Sequence, residues 1–186
     1  MHPFRLIRFA LVASLLAAAG TSLHAQRFDT AVTFTAVDSS TNTTGTKFWM
    51  TGGSVEFGAK IIGNLGIAAN LTGVHTNSIG PSNVPLSMLI VTGGPRFRVG
   101  KRKASVYVET LFGEANGFRS VFPTSNGVQT NADGFAMKLG GGFDLGLGHH
   151  IGYRVVDASY IRTQLPNAGS NAEGNLSLST GLLFHF

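Results

Sequence analysis

The stretch STGLLFHF, residues 179–186, closes the sequence and alternates aromatic or aliphatic residues with small or polar ones. A period of two with one apolar face predicts a half-buried β-strand. The segment 133–147 repeats the pattern, with Phe143 on one face and Lys138 and Asp144 on the other. We therefore expect strands that separate an apolar surface from a polar one.

Eight segments of this kind, each of about ten residues or more, are predicted along the chain. They cover 28–38, 48–59, 65–75, 86–99, 104–116, 133–147, 151–164 and 173–186. The connections after the second, fourth and sixth segments are short, and the other connections are long and polar. This layout is typical of a bacterial outer-membrane barrel with its short turns in the periplasm. The predicted fold is all-β, an eight-stranded antiparallel up-and-down transmembrane β-barrel, because closure removes the sheet edges that lipid cannot hydrate.

The composition separates this chain from most soluble domains. Charged residues make up 12% of the sequence, against a usual ~25%. There is no cysteine, so no disulfide framework stabilises the protein. A soluble lipocalin-like barrel, which also has eight strands, is the alternative. We favour the membrane barrel because the apolar faces are rich in Leu, Val and Phe, while the opposite faces carry glycine, small residues and charges.

The N-terminus has the pattern of a secretory signal. Arg5 and Arg8 are followed by the apolar run 9–20 and then by small residues. We predict a cleavable signal helix at 1–25 and one outer-membrane barrel domain at 26–186; a short membrane anchor is the alternative. Without the signal the chain keeps 12 basic and 9 acidic residues. This modest positive charge does not call for nucleic acid.

The end of the chain resembles the β-signal of outer-membrane proteins. The positions that fit this pattern are Ser179, Gly181, Phe184 and Phe186. More broadly, residues 28–186 resemble the OmpA-like family of small outer-membrane β-barrels. The resemblance implies export to the bacterial outer membrane, contact with outer-membrane lipid and insertion by the barrel-assembly machinery. It specifies architecture and location but no activity.

Alternation places a set of charged residues on the faces assigned to the barrel lumen. They are Glu56, Arg96, Arg98, Glu109, Lys138, Asp144 and Arg154. Unpaired charges in a narrow barrel are costly, so we expect these residues to pair across it. We interpret them as a structural network that plugs a barrel too thin to conduct, with a selectivity filter as the alternative. Asp157 falls on the lipid face by simple alternation, which indicates a bulge in the seventh strand or an error in its bounds.

The longest predicted loop spans roughly 117–132 and carries Phe118, Arg119 and Phe122. Long loops with exposed aromatic residues often bind a partner, so these three residues are candidates for an unknown extracellular ligand. In the alternative interpretation both phenylalanines pack back on the barrel mouth. The sequence leaves the two open.

The sequence predicts no catalytic, cofactor-binding or metal-binding residue. A histidine and a serine two residues apart on one strand would share a face and could form a catalytic pair, but no histidine here is followed two residues later by serine. The glycine-rich run 140–148 lacks the lysine of a phosphate-binding loop. We therefore predict a non-enzymatic barrel with a structural or loop-mediated binding role. A small porin-like transport channel is the first alternative, and an enzyme acting on lipid or peptide is the second.

Overall fold

The computed structural model describes residues 28–40, 47–79, 84–101, 103–124, 127–166 and 172–186, which form a closed antiparallel β-barrel. Each strand pairs with the next in sequence, and the eighth pairs with the first. The strands are β1 Phe28–Ser40, β2 Lys47–Ile62, β3 Leu65–Ile79, β4 Val84–Lys101, β5 Ala104–Thr124, β6 Gly127–Gly146, β7 Ile151–Thr163 and β8 Glu173–His185. The prediction of an all-β, eight-stranded up-and-down barrel is confirmed. The predicted signal at 1–25 lies outside the described residues.

None of the described residues forms a helix that is long and apolar enough to cross a membrane.

The prediction of a long loop at 117–132 is wrong. β5 continues to Thr124, β6 begins at Gly127, and Pro123 pairs with Val128 in a hairpin that extends the sheet beyond the mouth of the barrel. Residues 127–131 at the start of β6 are all exposed, so both faces there carry polar residues, which hides the period-two signal of a half-buried strand.

The outer surface of the barrel is apolar. Large hydrophobic side chains stay exposed on every strand, among them Val32, Phe57, Leu71, Val91, Val108, Leu139, Val155 and Leu178. Aromatic residues are exposed near both ends of the strands, among them Phe28, Phe57, Tyr153, Trp49, Phe135 and Tyr160. We call this surface the apolar belt. An outward-facing apolar band with aromatic residues at both ends is the pattern of barrel strands that face lipid.

The interior has two layers. Toward the short-turn end, where β2–β3, β4–β5 and β6–β7 connect, it is filled by charged residues. Toward the opposite, long-loop end it is filled by an apolar cluster. The cluster comprises Val37, Met50, Val74, Leu86, Met88, Ile90, Ala115, Phe122, Ala132, Ala136, Ile161 and Leu165. The expectation that the inner faces carry only glycine, small residues and charges is therefore wrong for the long-loop half.

A β-bulge in β7 turns Asp157 into the interior. The register of β7 against β8 shifts between Arg154 and Asp157, and the two residues between them, Val155 and Val156, are both exposed. The extra residue reverses the alternation, so Asp157 is buried at 2% exposure instead of facing lipid. Of the two explanations that the sequence left open, the structure shows the bulge.

Candidate functional site

The seven charged residues assigned to the lumen lie inside the barrel and contact one another through ion pairs. Six of them are buried, and the Arg98 side chain keeps 24% exposure. Arg98 Nη2 lies 2.7 Å from Asp29 Oδ2 and 3.1 Å from Asp144 Oδ2. Arg154 Nε donates to Asp144 Oδ1 at 2.9 Å, and Arg154 Nη1 lies 3.8 Å from Asp157 Oδ2. One arc of alternating charge thus runs from β1 through β4, β6 and β7.

A second arc closes this path. Lys138 Nζ lies 3.5 Å from Asp157 Oδ1 and 3.0 Å from Glu109 Oε1. Arg96 Nε donates to Glu109 Oε2 at 2.9 Å, and Arg96 Nη1 lies 3.7 Å from Asp29 Oδ1. We call the closed set the charge ring. In order around it stand Asp29, Arg98, Asp144, Arg154, Asp157, Lys138, Glu109 and Arg96.

Glu56 lies within the charge ring and contacts three of its four cations. Its Oε1 accepts from Arg154 Nη1 at 2.5 Å and also pairs with Arg96. Its Oε2 lies 3.7 Å from Lys138 Nζ and accepts a hydrogen bond from Asn70 Nδ2 at 3.3 Å. Glu56 is therefore the carboxylate of the network that pairs with the most cations. Its removal would leave three buried cations each without one of their partners.

Tyr107 completes the network. The guanidinium carbons of Arg154, Arg96 and Arg98 lie 4.5, 4.6 and 5.4 Å from the centre of its ring, within cation–π range. Its hydroxyl donates to Asp157 Oδ2 at 2.5 Å. The ring is therefore in contact with three guanidinium groups. The hydroxyl adds a hydrogen bond to Asp157, which also pairs with Lys138 and Arg154.

Sequence reasoning missed three members of this network, which are Asp29, Tyr107 and Asp157. Tyr107 shares a face with Glu109, two residues away, so alternation could have found it. Asp29 stands at the start of β1, where the strand bounds are least certain. Asp157 is reached only through the bulge, which a regular period of two cannot reveal.

Three carboxylates of the network come close enough to resemble a metal site, but an ammonium group lies among them. Glu56, Glu109 and Asp157 each offer an oxygen within 4.8 Å of the others. Lys138 Nζ lies 3.7, 3.0 and 3.5 Å from oxygens of these residues. The lysine therefore supplies the positive charge that this acidic group requires.

The residues that match the assembly signal lie along β8 in different environments. Ser179 is buried and its hydroxyl lies 2.9 Å from Thr35 Oγ1. Gly181 packs so closely on the β1 backbone that a Cβ there would collide with the carbonyl oxygen of Val32. Phe184 is half-buried, whereas Phe186 is 75% exposed.

The three candidate loop residues lie in the β5–β6 hairpin. Phe122 is 6% exposed and belongs to the apolar cluster, so it packs onto the barrel mouth. Phe118 is half-buried and Arg119 is exposed. Arg119 has a φ of 60°, and the pairing shifts between Phe118 and Phe122. This irregularity bends the hairpin and lets Phe122 point inward.

A cavity of about 380 Å³ opens at the short-turn end. Its lining includes Arg98 and Asp144 of the network together with Lys60, Lys101 and His150. It stops at the charge ring and so forms a polar vestibule below it.

A hydrogen-bonded serine, histidine and asparagine lie on the outer face at the long-loop end. His75 Nδ1 is 2.9 Å from Ser87 Oγ, and His75 Nε2 is 2.9 Å from Asn77 Oδ1. Neighbouring Val74 and Met88 belong to the inner cluster, so alternation turns His75 and Ser87 outward. The pair leaves no signature within a single strand of the sequence, because its members lie on adjacent strands.

Solved structures share this architecture. Neisserial surface protein A matches with a TM-score of 0.62, 11% identity, and coverage of 86% of this chain and 97% of that chain. Ail, the attachment invasion locus protein of Yersinia pestis, matches with a TM-score of 0.58, 14% identity, and coverage of 88% of this chain and 100% of that chain. The chain has the fold of a small outer-membrane barrel.

A second structure of Ail is its complex with the heparin analogue sucrose octasulfate. It matches with a TM-score of 0.60, 15% identity, and coverage of 88% of this chain and 100% of that chain. No protein-family model matches the sequence, and a search of curated proteins finds no significant match. Sequence identities this low establish only a shared fold. Ligands and activity therefore have to be inferred from the residues of this chain.

Proposed function

We propose that the protein is an outer-membrane β-barrel whose lumen is plugged by paired charges, and that it supports the cell envelope or presents binding loops. The charge ring carries this proposal. Its cations and acids come from six of the eight strands once Glu56 is included, and the contacts reach across the lumen. These contacts link the strands across the lumen, and their side chains occupy the space through which ions would pass in a pore.

The dimensions of the barrel favour the same function. Eight strands enclose an interior just wide enough for side chains. Here the charge ring and Tyr107 fill the short-turn half, and the apolar cluster fills the long-loop half. An apolar constriction also opposes ion passage, because ions lose their hydration there. Two successive barriers, one charged and one apolar, support a closed barrel.

The outer surface supports a location in the outer membrane. The apolar belt suits contact with lipid, and exposed Phe28 and Phe186 suit the aromatic girdle at the short-turn end. The match of β8 to the assembly signal supports insertion by the barrel-assembly machinery. The predicted signal at 1–25 would deliver the chain to the periplasm.

The β5–β6 hairpin is the best support for a binding role at the long-loop end. Phe122 anchors its inner side, while its outer side presents polar groups and the half-buried Phe118. Asn116 donates a hydrogen bond to Asp133 on that outer side. Ail, of the same fold, has been solved with a heparin analogue. We propose an extracellular ligand at this hairpin, carried by Phe118 and Arg119.

Planar bilayer conductance of the purified, folded barrel tests the plugged lumen. The wild type should show little steady current. Arg154→Ala with Tyr107→Ala opens the charged barrier, and adding Met88→Ala opens the apolar one, so the triple variant should raise the conductance. Tyr153→Ala on the outer face should not. A stable, large, ion-selective wild-type current would favour the porin-like channel. The proposed function requires no catalysis; the enzyme alternative is supported by a single contact, that between His75 and Ser87.

A further inference from the structure

His75, Ser87 and Asn77 form a hydrogen-bonded chain on the outer surface, away from the charge ring. The register of β3 against β4 puts His75 directly opposite Ser87. Asn77 lies at the irregularity where the pairing shifts between Thr76 and Ile79, and its Oδ1 lies 2.9 Å from His75 Nε2. Cross-strand neighbours on one face are close enough for direct contact, which explains how residues 12 apart in sequence meet.

The Asn77 contact determines which nitrogen of His75 carries the proton. A carbonyl oxygen only accepts hydrogen bonds, so Nε2–H donates to Asn77 Oδ1. The neutral ring then has its lone pair on Nδ1, and the Ser87 hydroxyl donates to it. A serine bonded to an imidazole base, itself oriented by a third group, is the arrangement that activates serine nucleophiles.

These residues lie where the apolar belt meets the polar rim. On the belt side, Leu71 and Leu89 are exposed at 44% and 41%. On the rim side Asn77 is exposed, and Phe118 lies opposite Ser87 on β5. Ser87 keeps 6% exposure, so the proposed reaction requires a substrate to part these side chains to reach its hydroxyl. In a bilayer, lipid ester groups lie at the same boundary between hydrocarbon and headgroups.

We propose that Ser87 and His75 are the catalytic residues of an ester hydrolase that acts on acyl esters of membrane lipid, with Asn77 as a positioning residue. The inference rests on the proposed outer-membrane setting for its substrate, since the belt provides the surface along which an acyl chain would lie. The interior of the barrel has no part in it.

The reaction proceeds in two balanced steps. Ser87 Oγ forms a bond to the ester carbonyl carbon while its proton passes to His75 Nδ1, and the leaving alcohol then departs with that proton. In the second step Nδ1 takes a proton from water, whose oxygen attacks the acyl-serine. The carboxylic acid is released, and the proton returns to Ser87.

The test uses the full barrel extracted from membranes in its folded, heat-modifiable state. A fluorophosphonate probe should attach to Ser87, located by mass spectrometry of the labelled peptide. Ser87→Ala should lose the label and the hydrolysis of a medium-chain nitrophenyl ester. Ser54→Ala is the matched control, since Ser54 is similarly buried at 8% but bonds to Thr33 in the interior. It should label at the wild-type rate.

Variants of the other two residues separate catalysis from structure. His75→Asn should slow labelling by about 100-fold or more, the usual contribution of a general base, whereas the turn variant His150→Asn should not. Asn77→Ala should slow labelling, and Asn77→Asp, which keeps an acceptor for Nε2–H, should restore it. A merely structural Asn77 would change the folded fraction and leave the labelling rate of folded protein unchanged.

Three outcomes overturn the proposal: folded wild type that takes no probe, labelling at serines other than Ser87, or a His75→Asn variant that labels at the wild-type rate. Labelling in detergent together with a failure to hydrolyse phospholipid or lipopolysaccharide esters in vesicles would reject the lipid substrate. None of these results depends on conductance, so failure of the hydrolase is distinguishable from failure of the plugged barrel.

Discussion

Arg154 and Glu56 pair across the interior of the barrel, with Arg154 Nη1 donating to Glu56 Oε1 at 2.5 Å although 98 residues separate them. Their strands, β7 and β2, are not neighbours in the sheet, so the contact spans the lumen instead of one ladder. The two side chains can meet only after β1 and β8 have paired and closed the barrel. The buried charges therefore favour the closed barrel over an open sheet, at the cost of desolvating each charge.

Glu109→Ala should destabilise the folded barrel by about 3–5 kcal/mol, because Arg96 and Lys138 would keep buried charges without this partner. The measurement is the temperature at which the folded band shifts on an unboiled gel, which should fall. Glu114→Ala is the matched control on the same strand, since Glu114 is exposed and surface pairs contribute little. Equal shifts for the two variants would contradict a buried network.

Two substitutions of Tyr107 should separate its hydroxyl from its ring. Tyr107→Phe loses only the bond to Asp157 and should cost about 1–3 kcal/mol. Tyr107→Ala also opens a void among three guanidinium groups and should cost more, about 3–5 kcal/mol. Urea titration of the folded barrel in detergent measures both. A Phe variant as unstable as the Ala variant would show that the hydroxyl, and not the ring, is what matters.

The number, order and pairing of the strands could be predicted because one period-two rule governs every membrane-facing strand. The rule is local and needs no knowledge of the closed barrel. It failed in the β5–β6 hairpin, where residues 127–131 of β6 are exposed on both faces and polarity no longer follows burial. It also failed at Asp157, because a bulge breaks the period itself.

The candidate sites were less predictable because they depend on proximity between strands. Alternation assigns a residue to the lumen but not to a partner, so it could not place Glu56 among Arg96, Arg154 and Lys138. Nor could it show that His75 stands opposite Ser87, since that requires the register of β3 against β4. The division of the interior into charged and apolar halves likewise emerges only when the strands are aligned.

The mature chain should begin near Gln26. The run of apolar residues after Arg5 and Arg8, followed by small residues, is the physical basis of this expectation. N-terminal sequencing of protein extracted from membranes measures it directly. Material that begins at Met1 would instead support the short membrane anchor.

Phe186→Asp should prevent assembly in the outer membrane while leaving export intact. Phe186 is exposed at the short-turn end, where an aromatic side chain suits the interface and a carboxylate does not. Cell fractionation should find the variant in the periplasm, unfolded or degraded. Val128→Asp, at an exposed position in the β5–β6 hairpin, serves as the control and should assemble. Normal surface levels of the Phe186 variant would reject its role in the assembly signal.

Phe122→Ala should loosen the β5–β6 hairpin without unfolding the barrel. Phe122 anchors the hairpin against Leu165 and the rest of the apolar cluster, and losing a buried phenylalanine costs about 3 kcal/mol or more. If the protease cuts only the locally opened hairpin, a loss of this size in the free energy of opening makes proteolysis roughly a hundredfold faster. The measurement is trypsin cleavage after Arg119, which is exposed and lies in the hairpin at the shift in pairing between Phe118 and Phe122. Val121→Ala, at an exposed position, should leave the rate unchanged, and rapid cleavage of the wild type at Arg119 would instead support a flexible loop.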